Sequence, residues 1–175
     1  QREPTLLGNL VRSAVEANRP ALAAKRIELS VESPPDDCVI DVDPTRFVQI
    51  LSNLLHNAAK FTDDDGSVSI CATITRPKNG AIPLVSISVV DSGIGISPEL
   101  LLRVFDPFTQ GNTPDLQPGL GIGLTVARRL VELHGGRLYA SSEGHGRGSQ
   151  FVIQLPLAAT QSASATDRRS DEQRL

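Results

Sequence analysis

Four short stretches of this chain carry residue types and spacings suited to chemistry. In DVDPTRFVQILSNLLHNAAKFT, the polar residues Gln49, Asn53, Asn57 and Lys60 follow one another at intervals of 4, 4 and 3. On an α-helix that spacing confines them to an arc of roughly 80°, opposite in character to the Leu and Phe stripe. Asn is a poor helix former, and a solvated helix face is more cheaply built from Glu or Lys. Two amides one turn apart beside an ammonium group suit a hydrated cation and phosphates. An amide oxygen is a hard ligand of the kind Mg2+ accepts while keeping its waters and phosphate ligands. A plain solvated face would show the same pattern.

The second stretch is LVSISVVDSGIGI, residues 84–96, in which an alternating apolar run ends on Asp91 and is followed by Gly93 and Gly95. Glycines beside an acid can be simple turn chemistry. They can also permit close backbone approach to a flat ligand, which would then take the volume of the missing side chains. The carboxylate would accept from an exocyclic amine, a charge-assisted bond worth about 1.5–3 kcal/mol. It would select adenine over guanine, whose carbonyl would face the carboxylate lone pairs. The third stretch, RVFDPFTQ, places Phe105 and Phe108 around an Asp-Pro break, which also fits a hydrophobic plug at a helix end. In the fourth, PGLGIGLTVARRL, Gly119, Gly121 and Gly123 alternate before a strongly patterned helix. Exposed backbone N–H groups at a helix N-terminus favour anions. No GK[ST] follows, and the GxGxG spacing is not a dinucleotide fingerprint.

The elements that must position these residues alternate between helix and strand. Leu6, Leu7, Leu10, Val11, Ala14 and Val15 repeat at helical spacing within residues 5–25, where Pro20 predicts a kink or a break. IELSVES reads as a strand turned by PPDD. Asp43 caps a helix with Pro44 at its first position, and Phe47, Ile50, Leu51, Leu54, Leu55 and Ala58 form its buried stripe. Two alternating runs, Val68 to Ile74 and Val85 to Val89, flank RPKNGAIP as a hairpin. Ser97-Pro98-Glu99 opens a further helix, and LTVARRLVELHGG ends at a Gly pair suited to a helix C-terminus. RLYASS and SQFVIQL read as the last strands. This order predicts an α+β fold, a mainly antiparallel sheet with helices on one face. Residues 1–157 form one domain in this reading, and 158–175 a flexible tail or linker.

Bulk properties narrow the options. At 175 residues and 39% apolar content the chain can bury a core, but with one Tyr and five Phe that core must be mainly aliphatic. A net charge of −3 supplies no basic field for nucleic acid. No apolar run reaches the roughly 20 residues of a membrane helix, so no direct membrane contact is expected. Cys38 and Cys71 fit no metal-ligand spacing and read as small hydrophobes in a reducing compartment. The absence of Met and the opening Gln suggest a piece of a longer polypeptide.

Together and in this order, the four stretches resemble the sensor histidine kinases of bacterial two-component systems. QILSNLLHNAAKFT is similar to the family's N box, DSGIGI to its first glycine box, FDPF to its F box and GLGIGL to its second glycine box. GRGSQF, residues 146–151, is similar to a further glycine element near the domain end. The likeness covers about residues 5–157. It implies the Bergerat ATP-binding fold, a two-layer α/β sandwich that holds ATP between helices under a mobile lid. On that likeness Asn57 coordinates Mg2+ and Lys60 contacts phosphate, the two catalytic positions, with Asn53 one turn earlier. Phe61 flanks the nucleotide, Asp91 accepts from the adenine amino group, and Gly93 and Gly95 shape the pocket. Gly119, Gly121 and Gly123 form the hinge of a lid over about 106–118. Ile96, Phe108, Leu120, Leu124 and Ser149 complete the nucleotide-contacting set.

Related ATPases of the superfamily (gyrase, MutL, the heat-shock chaperone) place a water-activating Glu where this chain has Asn53. Its absence, with the F box, favours transfer to an imidazole, already a nucleophile when neutral, over hydrolysis. None of His56, His134 and His145 lies in a helical hairpin beside an acid, so the phosphoacceptor is expected on a dimerisation domain of the same protein, outside this chain. A response-regulator receiver domain is the expected downstream partner, and the expected location is cytoplasmic, whether or not the parent protein is anchored in the inner membrane. The alternative within the superfamily is a nucleotide-binding regulatory module or an anti-sigma-factor-like serine kinase.

Overall fold

A computed structural model describes residues 1–32, 38–78, 81–109 and 121–158. The elements run β1 (Glu3–Leu6), α1 (Leu7–Ala24), β2 (Glu28–Glu32), β3 (Val39–Val42), α2 (Pro44–Phe61), β4 (Ser67–Thr75), β5 (Leu84–Asp91), α3 (Pro98–Leu101), α4 (Gly123–Leu133), β6 (Arg137–Ser141) and β7 (Ser149–Pro156). Five strands form one sheet in the order β2-β4-β5-β7-β6, antiparallel except for the parallel β2–β4 pair. The hairpin expected around RPKNGAIP is present, with Thr75 paired to Leu84. Alternation sends Val68, Ile70, Val85, Ile87, Val89, Phe151, Ile153 and Leu155 to one buried face. The residues between them, such as Ser86, Ser88 and Gln154, stay partly or fully exposed. Helices therefore cover one face only, as expected.

Helix α2 is the centre of that cover and packs on α1, α4 and β5. Asp43 caps it, Oδ1 accepting from the Arg46 N–H at 3.0 Å, and Pro44 opens it. Phe47, Ile50, Leu51, Leu54 and Leu55 have no solvent exposure, and Ala58 and Ala59 continue the stripe. Lys25 closes the other end, its Nζ donating to the carbonyls of Lys60 and Thr62 at 2.9 and 2.8 Å.

Two features depart from the sequence reading. Helix α1 runs unbroken through Pro20 to Ala24. Pro20 and Glu16, whose carbonyl loses its helical partner, both lie on the exposed side, where water can replace the bond. Leu22 beyond them is buried and holds the last turn down. Strands β1 and β3 were not anticipated: Glu3-Pro4-Thr5-Leu6 pairs antiparallel with Val39–Val42 as a separate two-stranded sheet. Neither segment is long enough to show a period, so only their pairing identifies them. The expected tail from 159 onward, the PPDD turn and most of the expected lid lie outside the described residues.

Ile87 sits fully buried on the central strand between Ala72 and Ile153. Ile87→Ala should cost about 2–5 kcal/mol in urea unfolding. An unchanged midpoint would contradict this placement of the core.

Candidate functional site

The alternation that buries Val85, Ile87 and Val89 places the Asp91 side chain next on the same inward face, 7% exposed. Its neighbours in register are Val68 on β4 and Ser149 on β7. Asp91 Oδ1 accepts from the Gly93 N–H at 2.9 Å, and Oδ2 accepts from the Ser149 hydroxyl. Ser149 thus joins Asp91 although 58 residues separate them. A carboxylate offers about four lone-pair sites, and these two donors fill about half of them. Among the described residues no cation pairs with Asp91. A buried carboxylate held this way keeps acceptor capacity for one more N–H donor.

Two glycine loops clamp this corner. A Cβ on Gly93 would lie 2.2 Å from the Phe61 carbonyl oxygen, which also accepts from the Ile94 N–H at 3.0 Å. Gly95 has φ +71°, and a Cβ there would lie 2.0 Å from the Gly144 oxygen. The Gly146 and Gly148 N–H groups donate to the carbonyls of Ile94 and Gly93 at 2.6 and 3.0 Å. The expectation that a ligand takes the volume left by Gly93 and Gly95 is therefore corrected. The backbone of Phe61 and of Gly144 takes it. Ser142, which the sequence reading passed over as part of a strand, ties the two loops together. Its Oγ accepts from the Ile96 N–H at 3.0 Å and donates to the Gly148 carbonyl at 2.6 Å. Only the long-range pairing reveals it, since a lone Ser beside a glycine-rich run carries no distinct signal.

On α2 the polar stripe divides. Gln49 is taken up by Arg46, whose Nη1 donates to it at 3.1 Å. Asn53 Nδ2 donates to the Gly123 carbonyl at 3.1 Å, which pins the first turn of α4 against α2. Asn57 is half-buried, and its side chain makes no hydrogen bond among the described residues. The Lys60 ammonium lies 5.2 Å over the Phe61 ring. Helix α4 begins with no side-chain cap, so its first N–H groups have no side-chain acceptor. Gly119 and Leu120 lie outside the described residues. Gly121 has φ +65°, and its carbonyl accepts from the Phe108 N–H at 3.0 Å.

The two Phe residues of FDPF separate. Phe105 packs edge-on to Phe151 at 6.4 Å and lies under Arg128, which makes it the plug expected at that break. Thr125 Oγ1 donates to its carbonyl at 2.9 Å. Phe108 is 76% exposed at φ 62°, so the plug reading does not extend to it. Ile96 and Leu124 are partly buried and pack on the core. A groove of about 500 Å³ between β1, α1 and the first turns of α2 contains none of these residues.

Residues 42–159 match the family described as "Histidine kinase-, DNA gyrase B-, and HSP90-like ATPase". The chain is 33% identical over 170 residues to the sensor histidine kinase AtsR of Burkholderia thailandensis, covering 95% of this chain and 27% of that protein. It therefore spans about a quarter of that relative's length. Among solved structures it resembles the nucleotide-free catalytic domain of histidine kinase ThkA, with TM-score 0.74 and 25% identity over 89% of this chain and 97% of that one. It also resembles full-length ShkA in complex with AMPPNP, with TM-score 0.72 and 31% identity over 90% of this chain and 31% of that one.

The clamp at Gly95 makes a direct prediction. Gly95→Ala should lose more than about 2 kcal/mol of stability, because a Cβ would meet both a left-handed φ and the Gly144 oxygen. Chemical denaturation at parent stability would show that the loop does not need glycine there.

Proposed function

Because the chain belongs to the histidine kinase-, DNA gyrase B- and HSP90-like ATPase family, we propose that it binds Mg-ATP and supplies the γ-phosphoryl group to a histidine on the dimerisation domain of its parent protein. The observation that carries this reading is the buried Asp91 carboxylate with acceptor capacity to spare. It would accept from the adenine amino group and discriminate against guanine. Gly93, Gly95, Ile96, Phe61 and Ser149 would frame the base.

The phosphate end would lie between α2 and the start of α4, with Lys60 and the uncapped α4 N–H groups facing negative charge. Gly119, Gly121, Gly123, Leu120, Leu124 and Phe108 would bound that end and its lid. The residues present fit Mg2+. Among the described residues the Asn57 amide oxygen has no partner, and no cluster of His, Cys, Asp or Glu suited to a metal exists. The ion would thus be held by one amide together with nucleotide phosphates and water, where it supplies charge neutralisation.

Asn53 bears on the reaction class. An amide is too weakly basic to take a proton from water, and here its Nδ2 donates to the Gly123 carbonyl. Transfer to a neutral imidazole needs no base at the attacking atom. The lone pair of the unprotonated ring nitrogen forms the N–P bond as the P–O bond to the ADP oxygen breaks, and the proton on the other ring nitrogen is then released to water. A receiver domain would take the phosphoryl group onward. The expected location is cytoplasmic, and among the described residues no helix is long and apolar enough to cross a membrane.

With a fluorescent ATP analogue, Asp91→Asn should weaken binding by about 1.5–3 kcal/mol, since the amide sets donors against the base. Asn57→Ala should abolish the Mg2+-dependent part of affinity while leaving Mg2+-free binding intact. Parent-like titrations from both variants would refute the site. Incubated with radiolabelled ATP and its own dimerisation domain, the chain should place acid-labile, base-stable label on that domain. Label that survives acid would assign it to serine phosphorylation instead.

A further inference from the structure

One buried titratable side chain has no part in the chemistry just proposed. His134 ends α4 and is 4% exposed. Its Nε2 accepts from the backbone N–H of Asp43 at 3.0 Å, and its Nδ1 lies 2.7 Å from the Leu130 carbonyl. A backbone N–H only donates and a carbonyl only accepts. These two partners therefore require a neutral ring with its hydrogen on Nδ1. Phe47 stands edge-on to the ring, with centroids 6.4 Å apart and planes at 82°, which fixes its orientation.

The connection matters because of where it falls. Asp43 caps the start of α2, while His134 ends α4. At the other end of the same helix pair, Asn53 holds the Gly123 carbonyl. The two contacts lie ten residues apart on α2 and eleven on α4, or about 15 and 17 Å along the respective axes. Helix α4 is thus pinned at both of its ends to the first half of the antiparallel α2, with the fully buried Ala127 and Val131 between the pins. With Asn53 alone, the far end of α4 would be held by packing without a directional bond to α2. Two pins fix its slide and its angle.

We propose that His134, as the neutral Nδ1–H tautomer, is a positioning residue for the phosphate end of the nucleotide site. It holds the N-terminus of α4 in place against the Asn53, Asn57 and Lys60 face of α2. The adenine corner is held separately, by β5, β7 and the Ser142-tied loops, so it does not depend on this strut. The inference rests on the nucleotide-binding reading for its functional consequence, though the mechanical coupling does not.

The test compares His134→Phe, which fills the volume without either hydrogen bond, with His134→Gln, whose side-chain oxygen can accept from Asp43. Nitrogen-15 shifts of the parent imidazole should show a bare Nε2 and a protonated Nδ1. In His134→Phe the Asn53 side-chain amide should exchange faster, and affinity for Mg-ATP should fall about tenfold while affinity for adenosine stays within about twofold. His134→Gln should restore most of both. Equal losses for the two ligands, an unmoved Asn53 amide, or Gln no better than Phe would each overturn the proposal. A parent that binds no nucleotide would refute the functional reading, while the Asn53 amide would still decide the coupling.

Discussion

One carboxylate, set at the inward end of the central strand, dictates much of the rest of this structure. After Val85, Ile87 and Val89, the next inward position on β5 belongs to Asp91. An ionised carboxylate there is costly unless hydrogen bonds replace its water. The bonds come from the Gly93 N–H and the Ser149 hydroxyl, and bringing both donors close imposes backbone contacts on either side. A Cβ on Gly148 would lie 2.0 Å from the Asp91 carbonyl oxygen, and one on Gly93 would strike Phe61. The glycines are the consequence of packing three backbone segments around one buried charge.

That arrangement explains which parts of the site could be read from sequence. Helix α2 was legible because capping, Pro44 and a 3.6-residue stripe all pointed the same way, and local signals suffice for local structure. The β4–β5 hairpin and the position of Asp91 at a strand end were legible for the same reason. The role of the glycines was not. DSGIGI looks identical whether ligand or protein backbone fills the missing volume, and only the approach of Phe61 and Gly144 distinguishes the two. Ser142 and His134 were illegible in another way, since their partners lie 46 and 91 residues away. Pro20 does not break α1 because its cost depends on which side of the helix meets water.

The polar stripe shows how far amphipathic reasoning extends. Four residues within one arc were a sound reading of periodicity, yet they divide into three environments. Gln49 pairs with Arg46 at the surface, Asn53 joins two helices, and Asn57 with Lys60 is left for other partners. A helix face has one direction but several neighbours along its length, and α4 crosses only part of it. Sequence periodicity supplies the direction, and tertiary packing assigns the neighbours.

The two halves of the site are consequently built to different mechanical rules. The Asp91 corner is fixed by backbone hydrogen bonds among β5, β7 and two glycine loops together with the side chains of Asp91, Ser142 and Ser149, none of which can shift without breaking several bonds at once. The other half lies between α2 and α4, whose buried packing is supplemented by two side-chain hydrogen bonds, from Asn53 at the start of α4 and His134 at its end. Side-chain pins can be released one at a time at modest cost, whereas a clamped loop cannot. A domain built this way can keep the Asp91 corner in one arrangement while the N-terminus of α4 is adjusted, so any change of state should be sought in α4 before the sheet.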